Sequence, residues 1–180
     1  DSKVIGVQNS IDQFFYEDNG KKYMFWGSFR GIYATELTDN GLEIKKKTDG
    51  TPVLKKRICG NRFEGTNKYK RGEYYYLFAS IGTCCNGATS TYQTVVGRSK
   101  NVLGPYLDKT GRDMLYDYCE IIMSGNETWA GPGHNSILIQ DDVGTDWIIY
   151  HGYKKKEAEN GRYVLMDKLI WSNDGWPSVK

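Results

Sequence analysis

The feature that most limits the fold of this chain is a hairpin that occurs three times along it. The segment YMFWGS at 23–28 aligns with YYLFAS at 75–80 at an offset of 52 residues, which matches Ser28 to Ser80. The segment DWIIYHGY at 146–153 is a third copy if its turn is allowed to be two residues longer. Repeats of roughly 40–50 residues, each made of several strands, are typical of a β-propeller, in which each repeat forms one blade.

The composition also favours strands over helices. The 180 residues include 14 Tyr, 6 Phe and 5 Trp, and aromatic side chains are enriched in strands. Short apolar runs alternate with turn residues such as EDNG, RGE and DDVG, and the chain shows hardly any helical periodicity. The sequence therefore predicts an all-β fold.

Each copy of the hairpin begins with an ionisable residue in a comparable position: Asp12, Glu64 and His134. Equivalent positions on the innermost strands of a propeller converge on its central axis, so we expect these side chains to face one pocket. Taken singly, an Asp or Glu beside a strand is usually a turn or cap residue, and a His among glycines is usually structural. The shared register favours the pocket, because independent surface residues have no reason to share it.

Two carboxyls in one pocket suit acid–base chemistry if their surroundings separate their pKa values. Glu64 stands between Phe63 and an aromatic strand, and we expect desolvation and the charge of Asp12 to raise its pKa, as a general acid requires. Glycoside hydrolysis uses such a pair, and aromatic side chains stack on sugar rings. Serine or cysteine nucleophiles and phosphoryl transfer are poorly supported, because the chain lacks a GxSxG elbow and a P-loop.

Several other classes of function are disfavoured by charge and hydropathy. The net charge of +2 and the short KKK runs at 45–47 and 154–156 are too small to predict binding to nucleic acid or to an anionic membrane. No stretch reaches the roughly 18 apolar residues of a transmembrane helix, so membrane insertion is not expected.

The four cysteines lack the CxxC spacing of a zinc site. They are Cys59, Cys84, Cys85 and Cys119. The adjacent Cys84 and Cys85 are either buried thiols or part of a disulfide, and we expect free, buried thiols.

Three segments together resemble glycoside hydrolase family 43, and within it the endo-arabinanase group. They are NSIDQFFYEDNGKKYMFWGSFRGIYATEL, FEGTNKYKRGEYYYLFASIGTCCNGATSTYQTVVGRSKNVLGPYLDKTG and GPGHNSILIQDDVGTDWIIYHGY. The resemblance covers nearly the whole chain and is far more specific as a combination than in any one motif. It implies a five-bladed β-propeller that hydrolyses α-1,5-linked arabinan with inversion. The blades expected in this chain lie near residues 1–57, 58–125 and 126–180.

The resemblance also implies roles for particular residues. FEG makes Glu64 the general acid, and NSID makes Asp12 the residue that orients the acid and raises its pKa. GPGHNS makes His134 the residue at an ion, commonly calcium, that is held largely through water. The segment GTCCNGATSTY at 82–92 resembles a substrate-cleft loop, so Asn86, Ser90 and Tyr92 are candidates for sugar contact or, equally, structural turn residues.

The sequence departs from the family pattern at its start. The general base of the family lies on the first blade, over a hundred residues before the NSID-type motif, whereas eleven residues precede Asp12 here. Asp1 lacks the matching context and is not assigned the role of base. We therefore expect the three C-terminal blades of an incomplete propeller, with the missing blades supplied by a longer chain or by another subunit, and we expect activity to require them.

Two alternatives remain open. One is an exo-acting arabinofuranosidase or xylosidase of the same fold, and the other is a non-catalytic carbohydrate-binding propeller fragment. A propeller used only for protein interaction is less favoured, because it gives no reason for the shared register of the three ionisable residues. Because a polymeric substrate does not readily enter a cell, we expect export to the periplasm, the cell surface or the medium.

Overall fold

The computed structural model describes residues 6–179 and is an all-β structure, as predicted. Its strands are β1 (Phe14–Asp18), β2 (Lys21–Trp26), β3 (Ile32–Glu36), β4 (Lys56–Cys59), β5 (Glu64–Arg71), β6 (Tyr74–Ile81), β7 (Gln93–Ser99), β8 (Glu120–Met123), β9 (Trp129–Gly133), β10 (Ile139–Gln140), β11 (Asp146–Lys154), β12 (Arg162–Trp171) and β13 (Pro177–Val179). Short 3₁₀ turns occur at Gly87–Thr89, Met114–Tyr116 and Lys155–Asn160. Among the described residues, no helix has the length and apolarity needed to span a membrane.

The strands form three sheets that follow one another along the chain. The first has the order β1-β2-β3-β4 and the second β5-β6-β7-β8. In the third, β11 pairs with β12, which pairs with β13, while β9 and β10 pair with different halves of β11. The predicted hairpins β1/β2 and β5/β6 are confirmed, and their turns contain Gly20 and Gly72 with left-handed φ values of 74° and 58°. The predicted blade boundaries stay a prediction.

The chain divides into two compact units. The first unit comprises the described residues up to Leu77 together with Gly97–Cys119, and the second comprises Phe78–Val96 together with the residues from Glu120 onwards. The large, fully buried side chains of the first unit include Phe25, Trp26, Phe63, Tyr76 and Tyr106. Those of the second include Phe78, Tyr92, Val95 and Ile148.

Burial alternates along a strand of the first sheet and a strand of the third. Residues of β1 and β12 alternate between exposed and half-buried, as expected of strands with one face on a core. In contrast, β6 is buried along nearly its whole length, so both of its faces are covered.

Candidate active site

Glu64 is the first residue of β5 and a buried carboxyl of the first unit. Its side chain is 8% exposed, and Oε2 accepts a hydrogen bond of 2.7 Å from the hydroxyl of Ser28. Ser28 is itself buried and follows the end of β2. Because little water reaches this site, the serine hydroxyl fixes one orientation of the carboxyl.

Asp12 lies against the same strand end. Its Oδ2 accepts a hydrogen bond of 3.1 Å from the backbone N–H of Gly65, the residue after Glu64. Asp12 has a left-handed φ of 55°, which is uncommon for a residue with a side chain, and Gly65 has a φ of 57°. The structure therefore brings Asp12 and Glu64 together at the start of β5.

The segment before β1 is held in place by the backbone around Ser28. The side-chain amide of Asn9 donates to the carbonyl of Ser28 at 2.6 Å, and the N–H of Gly27 donates to the carbonyl of Ile11 at 2.9 Å. Gly27 has a φ of 125°, and a Cβ there would lie 2.2 Å from the carbonyl oxygen of Gly31. Only glycine fits this position, so the turn that carries Ser28 depends on it.

His134 follows β9 in the second unit. Its backbone N–H donates a hydrogen bond of 2.7 Å to the hydroxyl of Ser80, and its side chain is exposed. Its φ is 51°, so His134 and Asp12 share a left-handed backbone. His134 lies in a different unit from Asp12 and Glu64, and the convergence of all three on one axis stays a prediction.

The imidazole of His134 belongs to a cluster of rings. Its Nδ1 lies 3.4 Å from the hydroxyl of Tyr92, and its ring stacks on His151 at 6.1 Å between centroids. Tyr92 stacks on His151 with 5.9 Å between ring centroids and an interplanar angle of 12°. His151 and His134 are the two histidines of the chain. The cluster orients the imidazole of His134 through contacts from two sides.

The loop at 82–92 presents its three candidate residues differently. Asn86 is exposed, whereas Tyr92 is 1% exposed and packs on Gly133, where a Cβ would lie 2.2 Å from the ring. Ser90 packs in the same way on Gly131, where a Cβ would lie 2.0 Å from its Oγ. The contact of these three residues with sugar stays a prediction. The packing favours supporting roles for Ser90 and Tyr92 and leaves Asn86 as the exposed candidate.

The expectation of free, buried thiols in this loop is wrong. Cys84 and Cys85 form a disulfide between adjacent residues, and Cys85 is exposed with a left-handed φ of 67°. The expectation failed because these residues follow the end of β6 and lie on the surface, where a tight turn brings the two sulfurs together. Cys59 and Cys119 are not joined in a disulfide, and burial raises the pKa of the Cys59 thiol.

The residues at His134 fit an ion only if most of its ligands are water. Among residues 6–179, no group of three His, Cys, Asp or Glu side chains converges as a metal site. Calcium prefers about six to eight oxygen ligands, and a lone imidazole supplies one nitrogen. The largely water-held ion that the sequence resemblance implies stays a prediction.

Sequence reasoning missed the roles of Ser28 and Ser80. The repeat aligns these two serines, and each bonds to the residue that begins the next hairpin copy, Glu64 in one case and His134 in the other. The offset of 52 residues was the signal that could have identified them. A small hydroxyl residue conserved between two repeat copies is a candidate for a repeated contact.

Comparison with known proteins identifies one family. The model of the family described as "Glycosyl hydrolases family 43" matches residues 2–177. The chain is 36% identical over 182 residues to an extracellular exo-α-(1→5)-L-arabinofuranosidase of Cellvibrio japonicus, covering 95% of this chain and 52% of that protein. It is 35% identical over 173 residues to an extracellular endo-α-(1→5)-L-arabinanase of Bacillus subtilis, covering 94% and 50%. The chain thus spans about half the length of these curated relatives.

Solved structures agree with this assignment. An exo-1,5-α-L-arabinanase from a bovine ruminal metagenomic library superposes with a TM-score of 0.81 at 35% identity, covering 94% of this chain and 56% of that one. An α-L-arabinanase of Cellvibrio cellulosa in complex with arabinohexaose gives a TM-score of 0.77 at 34% identity, covering 93% and 56%.

Proposed function

This chain belongs to glycosyl hydrolase family 43, and from that premise we propose that it forms part of a hydrolase that cleaves α-1,5-linked arabinan. The observation that carries the proposal is the buried carboxyl of Glu64, which is bonded to Ser28 and adjacent to the peptide that Asp12 contacts. A buried carboxyl held in one orientation is suited to the role of general acid, which is one of the two carboxyl roles in glycoside hydrolysis.

In the proposed mechanism, Glu64 protonates the glycosidic oxygen of the leaving sugar. Asp12 orients this acid by fixing the peptide of Gly65, the residue that follows it. Inversion needs a second carboxylate about 6.5–9.5 Å from the acid, with the attacking water between them. Asp12 is too closely associated with the start of β5 to hold that water, and Asp1 lies outside the described residues. We therefore assign no general base within residues 6–179.

We further propose that additional sheets of a five-bladed propeller complete the site. Two observations support this. The relatives are about twice as long as this chain, and the first and third sheets each carry exposed apolar side chains. On the first sheet, Phe15 is 53% exposed beside a cavity of about 260 Å³ that Met24 and Leu37 also line. On the third sheet, Val164 is 80% exposed and Met166 lies beside it on the same face of β12. Apolar faces of this kind mark interaction surfaces.

The proposed ion site has His134 as its protein ligand. An ion there would supply a fixed positive charge, while the ring cluster of Tyr92 and His151 would hold the imidazole. A calcium titration followed by the NMR resonances of His151, whose ring stacks on His134, tests this site, because a His134→Gln variant should lose the response.

An exo-acting enzyme is the second candidate, because an exo-acting arabinofuranosidase and an exo-arabinanase are among the similar proteins. Products from linear arabinan separate the two activities. Mixed oligosaccharides indicate endo cleavage, and a single small product indicates exo cleavage. The extracellular relatives also support the proposal that the protein is exported.

The test of the proposed function is cleavage of linear arabinan by the complete hydrolase of which this chain forms part, and by its Glu64→Gln variant. Loss of about 10²–10⁴-fold in rate with intact arabinan binding is expected for removal of a general acid. A protein that binds arabinan equally well with either residue and cleaves it with neither would instead be a carbohydrate-binding module.

A further inference from the structure

A cavity of about 420 Å³ lies in the first unit and has no role in the proposed chemistry. Three cationic side chains line it, Arg98, Lys100 and Lys109, together with the ring of Tyr74. Tyr74 begins β6, three residues after the end of β5, whereas Glu64 begins β5. Seven rises along a strand separate Glu64 from Arg71 by roughly 23 Å, so the cavity lies at the far end of β5 from the candidate acid.

Arg98 is held in a fixed position in this cavity. Its guanidinium carbon lies 4.5 Å from the centre of the Tyr74 ring, and the group also hydrogen bonds to the hydroxyl of Tyr76. The backbone of Arg98 pairs with Leu107 through hydrogen bonds of 3.0 and 2.8 Å. A guanidinium fixed in this way loses little conformational entropy when it binds a carboxylate.

The one carboxylate that lines the cavity does not neutralise it. Asp108 accepts hydrogen bonds from the backbone N–H groups of Thr110 and Arg112, and Arg112 Nε lies 2.9 Å from its Oδ2. Burial alone raises the pKa of Asp108, but these hydrogen bonds lower it overall, so its charge is matched by Arg112. Arg112, rather than a cation that lines the cavity, therefore matches the charge of Asp108.

Lys100 has a partner that a ligand can replace. Its Nζ lies 2.8 Å from Glu73, but both side chains are more than half exposed. Exposed ion pairs of this kind contribute little to stability. A ligand carboxylate that also reaches Arg98 and Lys109 competes well with Glu73, because it contacts three cations at once.

We propose that this cavity binds a carboxylate-bearing sugar, a uronic acid unit of an acidic polysaccharide, through Arg98, Lys100 and Lys109. The rings of Tyr74 and Pro105 and the side chain of Leu107 provide apolar surface for the C–H face of the sugar. The choice of a polysaccharide as ligand rests on the proposed function, but the site goes beyond it, because it recognises a charge that neutral arabinan lacks. The protein would then attach to an acidic chain at one end of β5 while it cleaves a neutral chain at the other.

Calorimetric titration of the protein with trigalacturonate tests the proposal, with neutral arabinotriose and inorganic phosphate as the other probes. The cavity variant is the double substitution Lys100→Gln and Lys109→Gln. The matched control is Lys21→Gln with Lys56→Gln, which makes the same change of charge at exposed positions of β2 and β4 in the same unit.

Trigalacturonate is expected to bind, arabinotriose is not expected to bind at this site, and the cavity variant should weaken trigalacturonate binding about tenfold while the control variant does not. Binding should also weaken in about 0.3 M salt, because the contacts are partly exposed. The proposal is overturned by no binding of trigalacturonate, by equal weakening in both double variants, or by equally tight binding of phosphate, which would indicate an unspecific anion site.

The same preparations separate this proposal from the proposed function. Cleavage of neutral arabinan should be unchanged in the cavity variant, and Glu64→Gln should bind trigalacturonate like the unsubstituted protein. Loss of arabinan cleavage in all preparations with retained trigalacturonate binding would contradict the function and leave the cavity proposal standing.

Discussion

Ser28 and Ser80 occupy equivalent positions in two copies of the hairpin, and each bonds to the residue that begins the next copy. In the first unit, Ser28 donates its hydroxyl to the carboxyl of Glu64, which is buried. In the second unit, Ser80 accepts from the backbone N–H of His134, whose side chain is exposed. Serines at equivalent positions of the repeat thus orient a side chain in the first unit and a backbone group in the second.

The repeat determines the position of the polar residue that begins each copy, because the backbone at this position depends on the serine and on the glycines around it. The two positions then differ in their access to water, because the side chain of Glu64 is buried and that of His134 is exposed. The following predictions test this comparison from the largest expected effect to the smallest.

The glycines of the two regions should be equally indispensable. Gly27→Ala forces a Cβ to within 2.2 Å of a backbone carbonyl, and Gly133→Ala forces one to within 2.2 Å of the Tyr92 ring. We expect each to lower the free energy of unfolding by about 3 kcal/mol or more, measured by urea unfolding. Gly144→Ala is the control for the presence of a Cβ alone, because nothing lies within 4 Å of its added Cβ, although its left-handed φ of 81° adds some strain. A neutral Gly133→Ala would show that the second region lacks the tight packing described.

Substitution of Asp12 and of His134 should affect catalysis unequally. Asp12→Asn keeps an acceptor for the Gly65 N–H but removes the negative charge, so we expect a loss of about 100-fold in kcat on arabinan. His134→Gln should lower kcat less, by about tenfold, because the imidazole is proposed to hold an ion and its water and not to contact the reacting atoms. Steady-state rates on linear arabinan measure both. The comparison would be reversed if His134→Gln proved the more damaging.

Removal of the two serine hydroxyls should affect stability in both units but activity in only one. Ser28→Ala should lower kcat as well as stability, because the buried carboxyl of Glu64 loses the donor that orients it. Ser80→Ala should destabilise the protein by about 1–3 kcal/mol with little change in kcat, because only the backbone N–H of His134 loses its partner. Paired measurements of kcat and of urea midpoint on both variants decide this. Identical behaviour of the two would mean that the serines serve packing alone.

The buried Lys68 should make the stability of the first unit depend on pH. Its Nζ is buried 3.5 Å from the ring centre of Phe25 and 2.7 Å from the carbonyl of Val102, and burial lowers its pKa from 10.5 to about 6. Between these values the unfolded chain holds a proton that the folded chain lacks, so stability should rise with pH by at most about 1.4 kcal/mol per unit. Lys68→Met should remove that slope. Urea midpoints between pH 6.5 and 8.5, with Lys56→Met as the control, test this; equal slopes in all three proteins would contradict it.

The regular parts of the fold were predictable from local pattern. The hairpins β1/β2 and β5/β6 follow from apolar runs around Asn19-Gly20 and Arg71-Gly72, since these signals need only neighbouring residues. The proximity of Asp12 to Glu64 followed from the repeat, but the atoms involved did not. The Asp12 carboxylate contacts the peptide of Gly65, a detail that depends on two left-handed backbones which sequence does not display.

Other features of the site depended on long-range packing. Tyr92 is covered because Gly133 leaves room for its ring, and the two residues are far apart in sequence. The first strand of the predicted third hairpin is reduced to the two residues of β10. Its second strand, β11, forms in full. The adjacent cysteines carried no sign of burial or pairing in their spacing, and their disulfide emerged only from the conformation of the loop.

The most direct measurement compares two substrates of the Glu64→Gln variant. One is linear arabinan, whose sugar leaving group needs a proton, and the other is a dinitrophenyl arabino-oligoside, whose leaving group does not. If Glu64 is the general acid, the variant loses about 10²–10⁴-fold on arabinan and retains most of its rate on the dinitrophenyl substrate. An equal loss on both substrates would contradict the assignment of the acid.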